Sequence, residues 1–161
     1  MKKKQCSCPD CKKCCWHNPG WFGSVSEIRG AAKLKGLTVK EFCKEYLIVE
    51  YMEGEKRILV PAPRRNFSRI NSGPEFHYNE FIAGQNANRN GKGFVTATWA
   101  HNLISGVACI FLDEKELCSI HKSKPQECAK AFGCGKDHSN KREDLLKYWK
   151  TRKNWVLKQQ E

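Results

Sequence analysis

Two groups of cysteines, one near each end of the chain, restrict the possible folds more strongly than any other feature. Eight residues form these groups: Cys8, Cys11, Cys14 and Cys15 in a C-x2-C-x2-C-C run, then Cys109, Cys118, Cys128 and Cys134. A two-residue spacing lets sulfurs converge on one point, and thiolates that close repel one another unless a cation lies between them. We therefore expect the two ends of the chain to meet around a metal centre.

Reduced thiols fit this expectation better than disulfides do. The chain has 161 residues and ten cysteines, and residues 1–7 contain no apolar stretch of the kind that forms a signal peptide. No segment approaches the roughly 20 apolar residues of a membrane span. We expect a cytoplasmic protein, and in the cytoplasm clustered cysteines are more often metal ligands than disulfide partners. A disulfide framework is the alternative.

The spacing leaves the identity of the metal open. Three cysteines in a C-x2-C-x2-C run wrap an iron–sulfur cluster, for example 4Fe-4S, with one thiolate for each iron. Structural zinc usually takes two ligands from one loop and two from a distant loop. Such a distant loop is present as Cys118-x2-His121 with Cys128, so His121 is a further candidate ligand. The candidate cofactor is an iron–sulfur cluster, one or two Zn²⁺ ions, or both.

Two capping boxes predict short helices in the first third of the chain. Ser24 is followed three residues later by Glu27, and the helix that they begin should end at Gly36. Thr38 and Glu41 repeat the pattern and predict a second helix. Cys43 falls in that second helix, where we expect a small buried hydrophobic side chain.

Two β-hairpins are predicted on either side of an irregular segment. The first joins residues 46–52 to residues 57–60 and is ended by Pro61 and Pro63. The second joins residues 107–112 to residues 117–120, which would place Cys109 and Cys118 on paired strands. The sequence thus predicts a small single α+β domain over residues 1–161. Its core comprises residues 6–63 and 107–135 around a cysteine-rich metal centre, with an irregular insertion at 64–106 and a C-terminal helix at 139–160 packed outside.

The cysteine pattern resembles that of the YkgJ-type cysteine-cluster family. The shared residues are the front run Cys8-x2-Cys11-x2-Cys14-Cys15, then Cys109-Ile-Phe-Leu, Cys118-Ser-Ile-His and Lys-Pro125-x2-Cys128. The match covers both ends of the chain and leaves residues 64–106 uncovered. The resemblance implies a zinc- or iron-chelating domain. The family includes flagellin lysine methylases, in which an iron–sulfur cluster is thought to assist the reaction.

The predicted function is therefore metal binding, of a structural, carrier or partner-binding type. An enzyme in which the metal assists group transfer is the alternative that the resemblance suggests, and the sequence leaves catalysis undecided. The formal charge of +12 suggests a second alternative, a metal domain that binds nucleic acid or an acidic protein. Arg64 and Arg65, with Phe67 and Arg69 close behind, could clamp a nucleic-acid strand.

Overall fold

The computed structural model of the chain describes residues 20–52, 58–70, 95–96, 107–125, 128 and 141–161. Within these ranges the helices are α1 (Val25–Lys35), α2 (Val39–Tyr46), α3 (Lys141–Lys150) and α4 (Lys153–Gln160). The strands are β1 (Leu47–Met52), β2 (Ile58–Pro63), β3 (Arg65–Ile70), β4 (Val95–Thr96) and β5 (Val107–Cys109). Helices and mainly antiparallel strands in separate stretches of the chain make an α+β fold, as predicted.

Helix α1 begins and ends where the sequence predicts. The Ser24 side chain accepts a hydrogen bond from the Glu27 backbone N–H at 3.2 Å. The Glu27 carboxylate accepts from the backbone N–H of Gly23 at 2.7 Å, one residue before the position that a capping box requires. Gly36 ends the helix with φ of 67°, a left-handed conformation that favours glycine.

Helix α2 has the complete capping box. The Thr38 hydroxyl accepts from the Glu41 backbone N–H, while the Glu41 carboxylate accepts from the Thr38 backbone N–H at 2.9 Å. The exposed hydrogen bonds to Thr38 hold the pKa of Glu41 below its ordinary value. This local chemistry fixes the start of the helix without tertiary contacts.

The first hairpin forms as predicted, but its second strand is longer. Strands β1 and β2 pair antiparallel, with Pro61 opposite Val49 and Pro63 opposite Leu47. The prediction is therefore wrong for Pro61, which lies inside the strand, whereas the strand does end at Pro63. Strand β2 lies at the edge of a sheet with the order β2-β1-β4, and an edge strand tolerates residues that lack an N–H donor. The turn at residues 53–57 lies outside the described residues.

Residues 65–70 form a strand at the start of the segment for which the sequence predicts irregular structure. Strand β3 follows β2 after a single residue and pairs antiparallel with β5. Residues 95–96 add a short parallel strand beside β1. The remainder of the predicted insertion, 71–94 and 97–106, lies outside the described residues.

The second predicted hairpin is reduced to a tight turn. Leu112 and Cys118 form one antiparallel bridge, and the Asp113 carboxylate accepts from the backbone N–H groups of Lys115 and Leu117, both at 2.9 Å. Strand β5 pairs with β3, so Cys109 and Cys118 are not on paired strands. The sequence gives the turn correctly but not the partner of β5, because strand pairing is decided by contacts distant in the chain.

An aromatic cluster forms the centre of the core. The ring of Phe42 stacks on Phe111 with centroids 5.7 Å apart and meets Phe22 edge to face at 6.2 Å. All three side chains are buried. The core therefore joins α2 to the segment before α1 and to the turn after β5.

The C-terminal segment differs from the prediction in two ways. It forms two helices, and Leu145, Trp149 and Val156 are buried in the core, so the segment is not packed outside it. Helix α3 lies against β2, and α4 lies against α2 and β2. The break between the two helices lies at Arg152. Its guanidinium donates to the Tyr148 carbonyl at 2.7 Å, and its backbone N–H donates to the Trp149 carbonyl, three residues earlier, instead of continuing the helical pattern.

No helix in the described ranges combines the length and the apolar character needed to cross a bilayer.

Candidate metal centre

Cys109 ends strand β5 and faces a charged partner across the strand pair. Its Cα lies opposite that of Arg65 in the antiparallel pairing of β3 with β5, and the cysteine is buried. Arg65 is only 5% exposed. Because both residues belong to the buried part of the pair, a thiol and a guanidinium share one interior environment.

Cys128 contacts Gly20, which lies shortly after the front cysteine run in the sequence. The backbone N–H of Gly20 donates a hydrogen bond to Cys128 Sγ at 3.0 Å, across 108 positions of sequence. Gly20 lies five residues after Cys15. Hydrogen bonds from backbone N–H groups to sulfur are typical around cysteines that ligate metals, where they stabilise the thiolate.

The segment that follows Gly20 is fixed by hydrogen bonds of its backbone to strand β2 and to helix α3. The Phe22 N–H donates to the Pro61 carbonyl at 3.1 Å, and the Trp149 indole N–H donates to the Phe22 carbonyl at 2.7 Å. The Val25 N–H donates to the Tyr148 hydroxyl at 3.1 Å. The position of Gly20 beside Cys128 is therefore set by contacts with the core.

Arg65 places a positive charge beside both cysteines. Burial lowers the pKa of Arg65 to about 10, while the thiol of Cys109, the carboxylate of Glu50 and the thiol of Cys128 act in the opposite direction. Its Nε and Nη1 atoms are buried and have no hydrogen-bond partner among the described residues. The guanidinium thus lies within electrostatic range of two candidate ligands and has unused donors.

Glu50 is the one buried acidic residue in the described part of the chain. It lies in β1, opposite Val60 of β2 and Val95 of β4. Its Oε2 accepts a hydrogen bond from the indole N–H of Trp21. A buried carboxylate held by an indole is a fixed negative charge in the interior, and its charge acts on Arg65.

Arg64 and Arg65 do not form the predicted nucleic-acid clamp. Both side chains are buried, at 4% and 5% exposure, and Arg64 Nη2 donates to the Lys44 carbonyl at 3.0 Å. Arg69 is also committed, since its Nη1 donates to the carbonyls of Leu112 and Asp113. These three cations hold the interior and the turn together and do not present a basic face.

Cys118 and His121 lie on the turn that follows the aromatic cluster. Cys118 is half-buried and His121 is exposed, on a short 3₁₀ turn at His121–Ser123. Partial burial and the charge of Lys124 lower the pKa of His121. The exposed imidazole is therefore not directed into the environment that Cys109 shares with Arg65.

The described residues contain part of the predicted ligand set. Among them, no three His, Cys, Asp or Glu side chains lie close enough together to hold a metal ion, and no disulfide joins two of the described cysteines. Five predicted ligands lie outside the described residues: Cys8, Cys11, Cys14, Cys15 and Cys134.

Cys43 is separate from this region, as predicted. It is 2% exposed in the core, and burial raises the pKa of its thiol to about 12. A thiol with that pKa stays protonated at neutral pH, which agrees with a role as a small core side chain.

The sequence did not predict that Arg65, Glu50 and Trp21 are buried in this region. Charged residues are mostly exposed, and two adjacent arginines therefore suggest a surface. The one available signal for the two arginines was their position, because Arg64 and Arg65 directly follow the apolar strand Ile58–Pro63 and so continue a buried segment.

No family model matches the chain, and no significant match is found among curated proteins or solved structures. The resemblance to the YkgJ-type family stays a prediction.

Proposed function

We propose that this protein is a metal-binding protein of structural or carrier type, with a thiolate centre assembled from cysteines at both ends of the chain. Cys109 and Cys128, the two described cysteines whose charges act on Arg65, are the first members of the proposed ligand set. The further candidates are Cys8, Cys11, Cys14, Cys15, Cys118 and Cys134, together with His121 as a nitrogen ligand.

The hydrogen bond from Gly20 to Cys128 is the observation that carries the proposal. It brings the end of the front segment against a cysteine of the distal group. Since Cys15 precedes Gly20 by five residues, the front cysteines are tethered within a short chain length of Cys128. A shared centre then requires no large rearrangement of the described residues.

The surroundings of the two cysteines suit ligating thiolates. A backbone N–H points at Cys128 Sγ, and a buried guanidinium lies near Cys128 and Cys109. Charge-assisted and backbone hydrogen bonds stabilise sulfur anions in a dry interior. Soft thiolate donors favour zinc and iron–sulfur clusters, and both metals are compatible with this donor type.

A metal would also supply energy that this fold needs. Closing the chain between its two cysteine groups costs conformational entropy that grows with loop length. When a ligand set is assembled only in the folded state, the free energy of metal binding becomes free energy of folding. The proposed centre therefore stabilises the approach of the two ends, and what it supplies to a partner or a substrate depends on the metal that it holds.

Anaerobic purification of the full chain, followed by metal analysis and a visible absorption spectrum, tests the proposal. We expect stoichiometric zinc in a colourless protein, or iron with acid-labile sulfide and broad visible absorption. Cys109→Ser and Cys128→Ser should each lose at least half of the bound metal.

Cys43→Ala is the matched control, because Cys43 is as buried as Cys109 but lies in helix α2 and does not belong to the proposed ligand set. It should retain the wild-type metal content. A wild-type protein with no stoichiometric metal, or equal metal content in all three variants, would contradict the proposal.

A further inference from the structure

We propose that the metal centre is an all-thiolate centre of net negative charge, and that Arg65 is its counter-charge. This inference rests on the proposed function and specifies the ligand class of the same centre. It assigns Arg65 a positioning role and removes His121 from the ligand set.

The position of Arg65 is the first observation. Its Cα lies opposite Cys109, it is within electrostatic range of Cys128, and it is 95% removed from solvent. A buried charge is costly unless opposite charge and hydrogen-bond acceptors compensate it. A guanidinium in this position therefore indicates negative charge nearby in the functional state.

The unused donors are the second observation. Arg65 Nε and Nη1 are buried, and no described residue accepts a hydrogen bond from either atom. Glu50 contributes negative charge, but it makes no hydrogen bond to these two atoms. Anionic sulfur is an acceptor that the ligand cysteines of an assembled centre would provide.

Charge then distinguishes the possible centres. Four thiolates around Zn²⁺, or around an oxidised 4Fe-4S cluster, leave about two negative charges. A zinc centre with three cysteines and one histidine leaves about one, and a centre with two cysteines and two histidines is neutral. The attraction to a buried guanidinium is therefore largest for the all-thiolate centres and absent for the neutral one. The exposure of His121 agrees with a ligand set made of cysteines.

The direction in which an Arg65 substitution changes stability follows from this pairing of opposite charges. The attraction between Arg65 and the centre exists only while the centre is assembled. When the metal leaves, the ligand thiolates take up protons, so Arg65 becomes a buried charge that faces less opposing charge. Replacing Arg65 by an apolar side chain of similar length should therefore weaken the metal-loaded protein and leave the metal-free protein equally stable or more stable.

The test compares Arg65→Met, Arg65→Lys, His121→Asn and the wild type as full chains. The readouts are the concentration of a competing chelator that removes half of the bound metal, and the melting temperature with and without metal. Arg65→Met should lose metal at a chelator concentration about 10–100-fold lower, the range seen when groups that support metal ligands are removed. Arg65→Lys should recover part of that loss, and His121→Asn should behave as wild type.

Arg64→Met is the matched control. Arg64 is adjacent and equally buried, but its guanidinium donates to the Lys44 carbonyl. Arg64→Met should lower the melting temperature of the metal-loaded and the metal-free protein alike. A parallel drop in both states for Arg65→Met, or wild-type resistance to the chelator, would overturn the counter-charge role and leave metal binding intact.

If Arg65→Met does not fold, His121→Asn and a further variant, Arg65→Gln, which keeps a polar side chain without the charge, decide the question. Chelator resistance that falls in His121→Asn, or that is fully retained in Arg65→Gln, would refute the proposal. A wild-type chain that binds no metal would refute both this inference and the proposed function, and that measurement comes first.

Discussion

The indole N–H of Trp149 donates a hydrogen bond of 2.7 Å to the backbone carbonyl of Phe22, in a core where neither side chain is exposed. The contact joins helix α3, near the end of the chain, to the segment that begins at Gly20. Because Gly20 in turn donates to Cys128, the C-terminal helices help to position the candidate metal centre.

Metal removal should loosen the domain. If metal–thiolate bonds hold the two ends together, chelation returns the entropy of the closed loop. We expect a loss of about 3 kcal/mol in the free energy of unfolding. The melting temperature should then fall by about 10 °C, since about 1 kcal/mol corresponds to about 2–4 °C in a chain of this size. Circular dichroism with and without chelator measures the change, and a spectrum and melting curve that stay native would count against a structural metal.

Trp149→Ala should destabilise the fold strongly. The change leaves a cavity in the core and an unsatisfied Phe22 carbonyl, and core substitutions of this size cost about 3–5 kcal/mol. Trp149→Phe keeps most of the volume and should cost less. Urea unfolding measures both, with Lys150→Ala as an exposed neighbour that should have little effect. Equal stability of Trp149→Ala and wild type would show that α3 is not part of the core.

Thr38→Ala should weaken helix α2. It removes the hydroxyl that accepts from the Glu41 N–H and the hydroxyl donor to the Glu41 carboxylate. The expected cost is about 1 kcal/mol, as for other capping residues, and Thr38→Ser should restore most of it. Denaturant titration of both variants is the measurement. A loss as large for Thr38→Ser as for Thr38→Ala would mean that the hydroxyl is not the stabilising group.

Cys43 should react slowly with alkylating reagents in the folded protein. Burial raises the pKa of its thiol from 9.0 to about 12, which lowers the thiolate fraction near neutral pH by about a thousandfold. Mass spectrometry after iodoacetamide treatment should find Cys43 unmodified until denaturant is added. Rapid modification under native conditions would mean that this part of the core opens readily.

The raised pKa of the Cys43 thiol also predicts a loss of stability at alkaline pH. The folded protein keeps the proton of Cys43 when the unfolded chain has begun to lose it, so the contribution is complete below pH 9.0 and is lost as the pH rises toward 12. Cys43→Ala should flatten this part of the stability curve. Unfolding free energies measured between pH 8 and pH 11 for both proteins, at about half-unit steps, test the expectation; parallel curves would contradict it.

Elements that depend on neighbouring residues were predictable. The side chains that begin α1 and α2, the left-handed Gly36 and the turn at Asp113 all act over four residues or fewer, and each appears in the structure. The apolar strand at residues 47–52 and its partner also follow from local pattern. The interior position of Cys43 follows from its place on the apolar side of a short helix.

Relationships between distant residues were decided by the tertiary structure. The sequence did not predict that β5 pairs with β3, that Arg65 is buried opposite Cys109, or that Trp149 reaches Phe22. A guanidinium is buried only when interior charges and packing compensate its desolvation, and those charges come from β1, β5 and Cys128. The amino-acid order sets the local elements and the number and spacing of the cysteines, whereas the electrostatic environment of those cysteines exists only once the strands have paired.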